Sequence, residues 1–380
     1  MTDSPPVDHA LATLRRLSDE FGTRYPDDTT CGDRYQLRRA RHGVGEGGNV
    51  DWTTSFYPGM LWLAGELDPD SGWWDRARAH VGSFVGRIDE EIDIQTHDLG
   101  FLYTLSCVTA WIYDADVEAR RAALAAADHL MSRVLPAAGI IQAWGDLNHP
   151  REQGRAIIDS LMNLPLLYWA SGVTGDDSYR KAAHRHALQL RENILREDDT
   201  TFHTFYWDPV TGAPLRGDTA QGFADDSTWA RGQAWGIYGF GLNYAHTGDP
   251  RFLDAAQRCS RRFMELLPPD HIPYWDLVFS TDDGQERDSS SGAIAACGLM
   301  DLAELTSDTS YRDVGLAILD ALAEHCASTG EQTCLLRHGV YNKNANEGVD
   351  EGNLWGDYYY LEALTRRARP SWVPYWRATS

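Results

Sequence analysis

The chain has 380 residues, of which 43% are hydrophobic and 24% are charged, a composition typical of globular proteins. Its formal net charge of −22 argues against a nucleic-acid partner, because phosphate binding needs a basic face. No apolar run approaches the roughly 18–20 residues that cross a bilayer, so we expect no membrane partner.

The expected location follows from the N-terminus and the cysteines. The first residues lack a basic region followed by an apolar one, so no signal peptide is expected. The six cysteines are scattered and form no C-x-x-C pair. These features favour a cytoplasmic chain with reduced thiols.

One motif recurs along the chain: an Asp-containing turn, an aromatic residue and an amphipathic helical segment. The Asp, Ser and Thr residues are typical of helix starts, and the apolar residues at a period of 3.6 indicate one buried stripe. With an amphipathic segment near residues 8–21, these repeats predict six outer helices. The repeats cover residues 68–88, 174–194, 247–267 and 306–326, with a degenerate copy at 114–135.

A second kind of helix alternates with the first. These segments are apolar on nearly all sides, which predicts that they lie inside. They cover residues 55–67, 99–113, 160–171, 230–246, 291–305 and 355–368. Six outer and six inner helices in alternation predict an all-α (α/α)6 toroid of six helical hairpins, formed as a single domain over residues 1–380. Residues 201–208 and 271–279 are predicted as short strands or loop segments.

A polar cluster precedes or opens each inner helix. Inner helices of such a ring run parallel, so their N-termini gather at one mouth. N-capping explains any single cluster and contributes about 1 kcal/mol. Six clusters interleaved with tryptophans (52, 144, 229, 235 and 355) favour a cleft for sugar chemistry. The clusters are Asp51-Trp52, Thr96-His97-Asp98, Asp159-Ser160, Asp225 to Arg231, Asp288 to Ser291, and Asn353, Trp355 and Asp357.

Other catalytic patterns are weak or missing. The sequence has no G-x-x-x-x-G-K-[ST], G-x-S-x-G or H-E-x-x-H motif. His184 and His186 have a spacing that metal sites use, but they lie on a predicted outer helix, where a solvated surface is the expected environment. We therefore expect no metal and no cofactor.

Five segments together resemble the unsaturated glucuronyl hydrolases of glycoside hydrolase family 88. The resemblance runs from about Asp51 to Leu364 and implies an (α/α)6 barrel. It also implies release of the terminal 4,5-unsaturated uronic acid from oligosaccharides that lyases generate. The segments are THDLGFLYTLS (96–106), IIDSLMNLPLLYWAS (157–171), HTFYWDPVTG (203–212), QGFADDSTWARGQAWGIYGF (221–240) and ANEGVDEGNLWGDYYYLEAL (345–364).

The resemblance implies roles for individual residues. Asp159 matches the general acid/base, and Asp98 matches the second essential carboxylate, which contacts the sugar hydroxyls. Substrate-binding positions are matched by Trp52, His203, Gln221, Arg231 and Trp235. The rim clusters and the C-terminal region add His97, Trp144, Lys343 and Trp355 to the candidate set. No serine cluster stands beside Lys343, which argues against a strong preference for sulfated chondroitin units.

The expected chemistry is hydration of a vinyl ether, with Asp159 as proton donor to C4 and then base to water at C5. Asp98 is expected to stay ionised and stabilise the cation. A helix N-terminus lowers the pKa of Asp159, but we expect burial and the charge of Asp98 to raise it further. Arg231 is expected to hold the substrate carboxylate as a bidentate fork, or else to pair with Asp225 or Asp226.

Three alternatives remain open. The nearest is an unsaturated rhamnogalacturonyl hydrolase on the same fold. A sugar epimerase would need a histidine pair, for which His97 and His203 are the candidates. A non-catalytic oligosaccharide-binding protein would not need two carboxylates. The expected partner is an unsaturated uronyl di- to tetrasaccharide, bound by a monomer or weak homodimer.

Overall fold

The chain is mostly helical in a computed structural model that describes residues 5–147, 149 and 152–379. None of the helices in these ranges is long and apolar enough to span a bilayer. The helices are α1 (Pro5–Phe21), α2 (Phe56–Leu67), α3 (Trp73–Arg78), α4 (Val81–Asp89), α5 (Leu99–Tyr103), α6 (Thr109–Asp114), α7 (Val117–Ser132), α8 (Pro165–Thr174), α9 (Asp177–Asn193), α10 (Ala230–Thr247), α11 (Pro250–Leu266), α12 (Ser289–Thr306), α13 (Thr309–Ala321) and α14 (Leu354–Ala368).

The helices form a closed double ring. The inner layer consists of α2, α5 with α6, α8, α10, α12 and α14, and each of these packs on the next. Contacts between α14 and α2 close the ring. The outer layer consists of α1, α3 with α4, α7, α9, α11 and α13. The predicted (α/α)6 toroid is therefore confirmed, with the predicted alternation of outer and inner helices.

Several of the predicted helical segments are not continuous α-helices, and the outer segment 306–326 ends in a π-helical stretch at Leu322–Cys326. The outer segment 68–88 breaks between α3 and α4, and the inner segment 99–113 contains a π-helical stretch at Thr104–Val108 that joins α5 to α6. A further short 3-10 helix, Ile158–Met162, precedes α8.

The recurring Asp motif begins the outer helices as predicted. Asp116, Asp176, Asp249 and Asp308 precede α7, α9, α11 and α13, and each side chain accepts a backbone N–H of the first turn. A cap of this kind satisfies a donor that the helix itself leaves unpaired.

Short strands connect the helices and form small antiparallel sheets. Residues 204–207 form a strand within the predicted segment 201–208, whereas residues 271–279 are irregular apart from isolated bridges at Tyr274 and Asp276. The strands are β1 (Pro26–Thr30), β2 (Tyr35–Leu37), β3 (Val134–Leu135), β4 (Ile140–Ile141), β5 (Arg155–Ile157), β6 (Thr204–Trp207), β7 (Pro214–Asp218), β8 (Gly339–Asn342) and β9 (Glu347–Glu351).

The C-terminal segment closes one end of the ring, a feature that the helical periodicity does not predict. Trp376 is fully buried, and its indole N–H donates to Glu362 of α14 at 2.9 Å. Its ring contacts Phe101 with a centroid distance of 5.9 Å. Arg377 pairs with Asp301 of α12 at 2.8 Å. The segment thus seals the end of the ring opposite the N-termini of the inner helices.

Replacement of Trp376 by Ala is expected to lower the free energy of unfolding by about 3–5 kcal/mol, because it leaves a large cavity and an unpaired Glu362 oxygen. Urea denaturation at fixed pH measures the change. Trp372→Ala is the matched control in the same segment, where the ring is only partly buried, and a smaller loss is expected. Equal losses for both variants would contradict the structural role of Trp376.

Candidate active site

A cavity of about 280 Å³ opens at the end of the ring where the inner helices begin. It brings together eight of the predicted site residues, namely Trp52, Asp98, Trp144, Asp159, His203, Gln221, Arg231 and Trp235. Ile157, Trp229 and Tyr341 also line it, although the sequence did not assign them to the site. Trp229 was one of the predicted rim aromatics, whereas no pattern distinguished Ile157 or Tyr341.

Three predicted residues do not line the cavity. His97 is 1% exposed and lies behind the carboxylates. Trp355 is fully buried and stacks on Trp52 with a centroid distance of 5.2 Å. Lys343 forms an ion pair with Glu286. These residues therefore support the lining or lie beside it.

The polar clusters at the inner helix starts divide into caps and cavity residues. Asp288 accepts from the backbone N–H of Ser290, and Asn353 accepts from that of Gly356, so both act as N-caps. Asp98 lies in the N-cap position of α5 without a capping hydrogen bond from its side chain. Its carboxylate lines the cavity instead.

Asp98 and Asp159 meet at one buried imidazole. The Nε2 atom of His97 lies 3.3 Å from Oδ1 of Asp98 and 3.6 Å from Oδ1 of Asp159. Gly100 permits this approach, because a Cβ atom there would lie 2.2 Å from the Cα atom of Asn163. The absence of a side chain at Gly100 thus lets the start of α5 lie against the segment that carries Asp159.

The two carboxyl groups have opposite pKa shifts. Burial raises the pKa of Asp159 to about 7, and the charge of Asp98 adds to this effect against the opposing charge of His97. Burial acts in the same direction on Asp98, but the charge of His97 and a hydrogen bond from the Thr96 hydroxyl outweigh it and hold the pKa of Asp98 below its usual value. The site therefore pairs a neutral acid with an ionised carboxylate.

The segment that carries Asp159 is fixed by a buried histidine. The backbone N–H of Ile141 donates to Nδ1 of His186 at 2.9 Å, so the ring proton lies on Nε2. Nε2 lies 2.7 Å from Oγ of Ser160, which donates to the carbonyl of Ile157. Burial lowers the pKa of His186 to about 3, which keeps the ring neutral.

The expected solvated environment of His186 is wrong. Its side chain is fully buried on the inner face of α9, next to the residue that follows Asp159. His184 lies two residues earlier on the same helix. Its side chain is half-buried, and its Nε2 atom lies 2.8 Å from a carboxylate oxygen of Asp249.

Both terminal nitrogens of Arg231 donate hydrogen bonds to other groups of the protein. Nη1 donates to the carbonyl of Val340 at 2.6 Å and lies 3.4 Å from Oδ2 of Asp288. Nη2 donates to the carbonyl of Tyr341 at 2.9 Å and to Oε1 of Gln221. These four contacts match the four N–H donors of the two terminal nitrogens.

The ion-pair partner of Arg231 is therefore Asp288, and the predicted pair with Asp225 or Asp226 is wrong. The expected bidentate fork to a ligand would require these internal bonds to break. The guanidinium lies 4.4 Å from the Trp229 ring centroid and 5.1 Å from that of Trp355. Arg231 thus gives the cavity a fixed positive charge between two aromatic rings.

His203 and Gln221 offer hydrogen-bond donors to the cavity. The backbone N–H groups of Ala220 and Gln221 donate to Nδ1 of His203 at 3.0 and 3.2 Å, which leaves the ring proton on Nε2. Burial lowers the pKa of His203 to about 3, so the ring is a neutral donor. Because Oε1 of Gln221 accepts from Arg231, its amide nitrogen is the group left for a ligand.

Among the residues that the structure describes, two groups of side chains have ligand atoms close enough to hold a metal ion. The atoms of His97, Asp98 and Asp159 lie within 4.8 Å of one another, and so do those of His42, Asp51 and Asp93. In the second group, arginines 38, 41 and 87 already pair with the carboxylates. That charge balance favours a structural ion-pair network. The first group is the carboxylate pair of the cavity.

Known proteins resemble this chain over most of its length. A family model described as Glycosyl Hydrolase Family 88 matches residues 32–366. The unsaturated chondroitin disaccharide hydrolase of Streptococcus pneumoniae is 42% identical over 97% of this chain and 92% of its own. The crystal structure of the unsaturated glucuronyl hydrolase of Bacillus sp. GL1 has a TM-score of 0.91 at 42% identity, covering 96% of each chain. An unsaturated glucuronyl hydrolase variant of Streptococcus agalactiae, complexed with dGlcA-GalNAc6S, has a TM-score of 0.84 at 38% identity, covering 98% and 92%.

The variant Asp159→Asn is expected to become more stable than the original chain as pH rises. A buried Asp159 with a pKa of about 7, against about 3.9 for a free Asp side chain, stabilises the fold fully below about pH 4 and loses that contribution as pH rises to about 7. The amide of the variant does not ionise and has no such loss. The difference in the free energy of unfolding between the variant and the original chain therefore grows by at most ~4 kcal/mol and levels off above pH 7. Thermal unfolding at several values from pH 4 to 8 measures it.

The exposed Asp70→Asn variant, which removes one surface carboxyl group, serves as the control. A pH-independent difference between the Asp159→Asn variant and the original chain would contradict the raised pKa.

Proposed function

Because the chain belongs to glycosyl hydrolase family 88, we propose that it removes the terminal 4,5-unsaturated uronic acid from lyase-generated oligosaccharides. One observation carries the assignment of roles. Two carboxyl groups meet in an aromatic cavity with their pKa values driven apart, so that Asp159 can donate a proton while Asp98 stays ionised.

The reaction begins at the C4=C5 bond of the uronate, whose ring oxygen makes it a vinyl ether. Asp159 donates its proton to C4, and the positive charge that forms on C5 and the ring oxygen is stabilised by Asp98. Asp159 then takes a proton from the water that attacks C5, so the acid is regenerated. The hemiketal opens to a ketone, and the hemiacetal left at C1 expels the aglycone as an alcohol.

The substrate carboxylate is held by neutral donors near a fixed charge. The Nε2 proton of His203 and the amide group of Gln221 supply hydrogen bonds, and Arg231 supplies positive charge without giving up its internal partners. This local charge opposes the net charge of −22 of the whole chain, which would otherwise repel an anionic sugar. The rings of Trp52 and Trp235 provide apolar walls for the sugar faces.

The histidine pair of an epimerase finds no support in this geometry. His203 is a neutral donor fixed by backbone N–H groups. At His97, burial lowers the pKa, but the charge of Asp98 outweighs burial and raises the pKa above its usual value. His97 also lies behind the carboxylates, outside the cavity lining. Its role in the proposed mechanism is to stabilise the charge of Asp98.

Lys343 supports a preference for unsulfated substrates. Its ammonium group is neutralised by Glu286, and it follows Tyr341 of the cavity lining by two residues. Since that cation is already paired, a sulfate on the aglycone gains little from it.

Asp159→Asn is expected to lower kcat by about 10²- to 10⁴-fold, because it removes the general acid while it preserves the shape of the cavity. Loss of the ultraviolet absorbance of the substrate alkene measures the rate, and unsaturated glucuronyl and galacturonyl disaccharides are assayed side by side. Ser280→Ala, on an exposed loop, is the control and keeps its activity. Turnover by the Asp159→Asn variant within tenfold of the original rate would remove Asp159 from its role.

The rate is expected to fall as pH rises through about 7, because Asp159 must be protonated to donate. It is also expected to fall in strong acid, where Asp98 becomes protonated. A profile of kcat/KM between pH 3 and 9 measures both limbs. Constant activity from pH 6 to 9 would contradict a proton donor with this pKa.

A further inference from the structure

A three-stranded sheet continues the wall of the cavity outward. Strands β5, β6 and β7 pair antiparallel in that order. Ile157 of β5 lines the cavity, and Arg155 lies two residues before it. Side chains alternate between the faces of a strand, so Arg155 shares the face of Ile157. That face therefore extends from the cavity across the sheet.

A row of alternating aromatic and cationic side chains crosses this face. Arg155 is paired with Tyr206, and Tyr206 with Arg216, so the three residues lie side by side across the strands. The Arg155 guanidinium lies 4.0 Å from the ring centroid of Trp144, which lines the cavity. The Arg216 guanidinium lies 4.1 Å from that of Tyr206. The row thus begins at the cavity and leads away from it.

Arg155 forms no ion pair in the described part of the chain, although the charge of Asp218 acts on it from a greater distance. Its Nε and Nη2 atoms are buried and have no hydrogen-bond partner there. Stacking on Trp144 compensates only part of the cost of burying such a cation, so an anion from a ligand would find a partner already in place.

We propose that an acidic aglycone extends from the cavity along Trp144, Arg155, Tyr206 and Arg216, which makes acidic oligosaccharides longer than a disaccharide preferred substrates. The inference rests on the proposed function, since it assigns the sugars beyond the cleaved bond. Sugar rings stack on the aromatic residues, and the carboxylate of a second uronate pairs with the arginines.

The arrangement favours an acidic ligand over a neutral one. A neutral sugar needs the aromatic faces but gains nothing from an unpaired guanidinium. Asp218, beside the row, lies 3.6 Å from Arg216 and offsets part of its charge. Arg155 is therefore the stronger of the two anion-binding groups, and Arg216, whose side chain is 61% exposed, is the weaker.

The test compares three substrates: an unsaturated disaccharide, an unsaturated tetrasaccharide with a second uronate, and one with three neutral sugars. For the Arg155→Gln/Arg216→Gln double variant, the ratio of kcat/KM for the acidic tetrasaccharide to that for the disaccharide is expected to fall about tenfold. The ratio for the neutral tetrasaccharide is expected to stay constant. Added salt should weaken the acidic preference of the original chain and not that of the variant.

Arg120→Gln is the matched control, since this arginine also lies over a tryptophan, Trp111, but on the outer helix α7. It should leave all ratios unchanged. The Arg216→Gln single variant, at an exposed position, keeps the test valid if the double variant folds poorly, and a smaller fall in the acidic ratio is expected for it. Unchanged ratios, or equal falls for acidic and neutral tetrasaccharides, would overturn the inference. Absence of disaccharide turnover by the original chain would instead overturn the proposed function.

Discussion

One imidazole lies against two carboxyl groups, and the difference between those groups is what makes the cavity a site of acid–base chemistry. Asp98 accepts a hydrogen bond from the Thr96 hydroxyl at 2.6 Å, and its carboxylate lies 3.3 Å from the Nε2 atom of His97. The Oδ1 atom of Asp159 is buried without a hydrogen-bond partner in the described part of the chain. Neighbouring groups therefore stabilise the ionised form of Asp98 but not that of Asp159. For this reason Asp98 is ionised and Asp159 stays protonated near neutral pH.

That asymmetry depends on the ring as a whole. The start of α5 must lie against the segment before α8, which Gly100 allows, and that segment must be held from behind. His186 reaches it from an outer helix and connects it to Ile141, so the outer layer also contributes to the geometry of the cavity. The same histidine would disturb the site if it carried a charge, and burial keeps it neutral.

The sequence predicted the ring well, because helical periodicity and Asp caps are local signals that tertiary contacts do not override here. It also placed Asp98 and Asp159 at one mouth, since inner helices of a ring run parallel. It did not predict contacts between distant segments. The partner of Arg231 is Asp288, 57 residues away, and not its neighbours in sequence. His186 on a polar helix and Trp376 in a Pro-rich tail carry no pattern that indicates burial in the core.

The C-terminal segment affects how a substrate enters the cavity and in which order the products leave it. With Trp376 against Phe101, and Phe101 in turn against Trp52 at 5.7 Å, aromatic rings fill the axis between the cavity and the far end. A sugar then enters and leaves through the mouth where the inner helices begin, and a space of about 280 Å³ admits little more than one sugar ring. Only a chain terminus fits, so degradation proceeds from ends and never from the middle of a polymer. The freed aglycone blocks the way out, and the uronate is therefore the last product to leave.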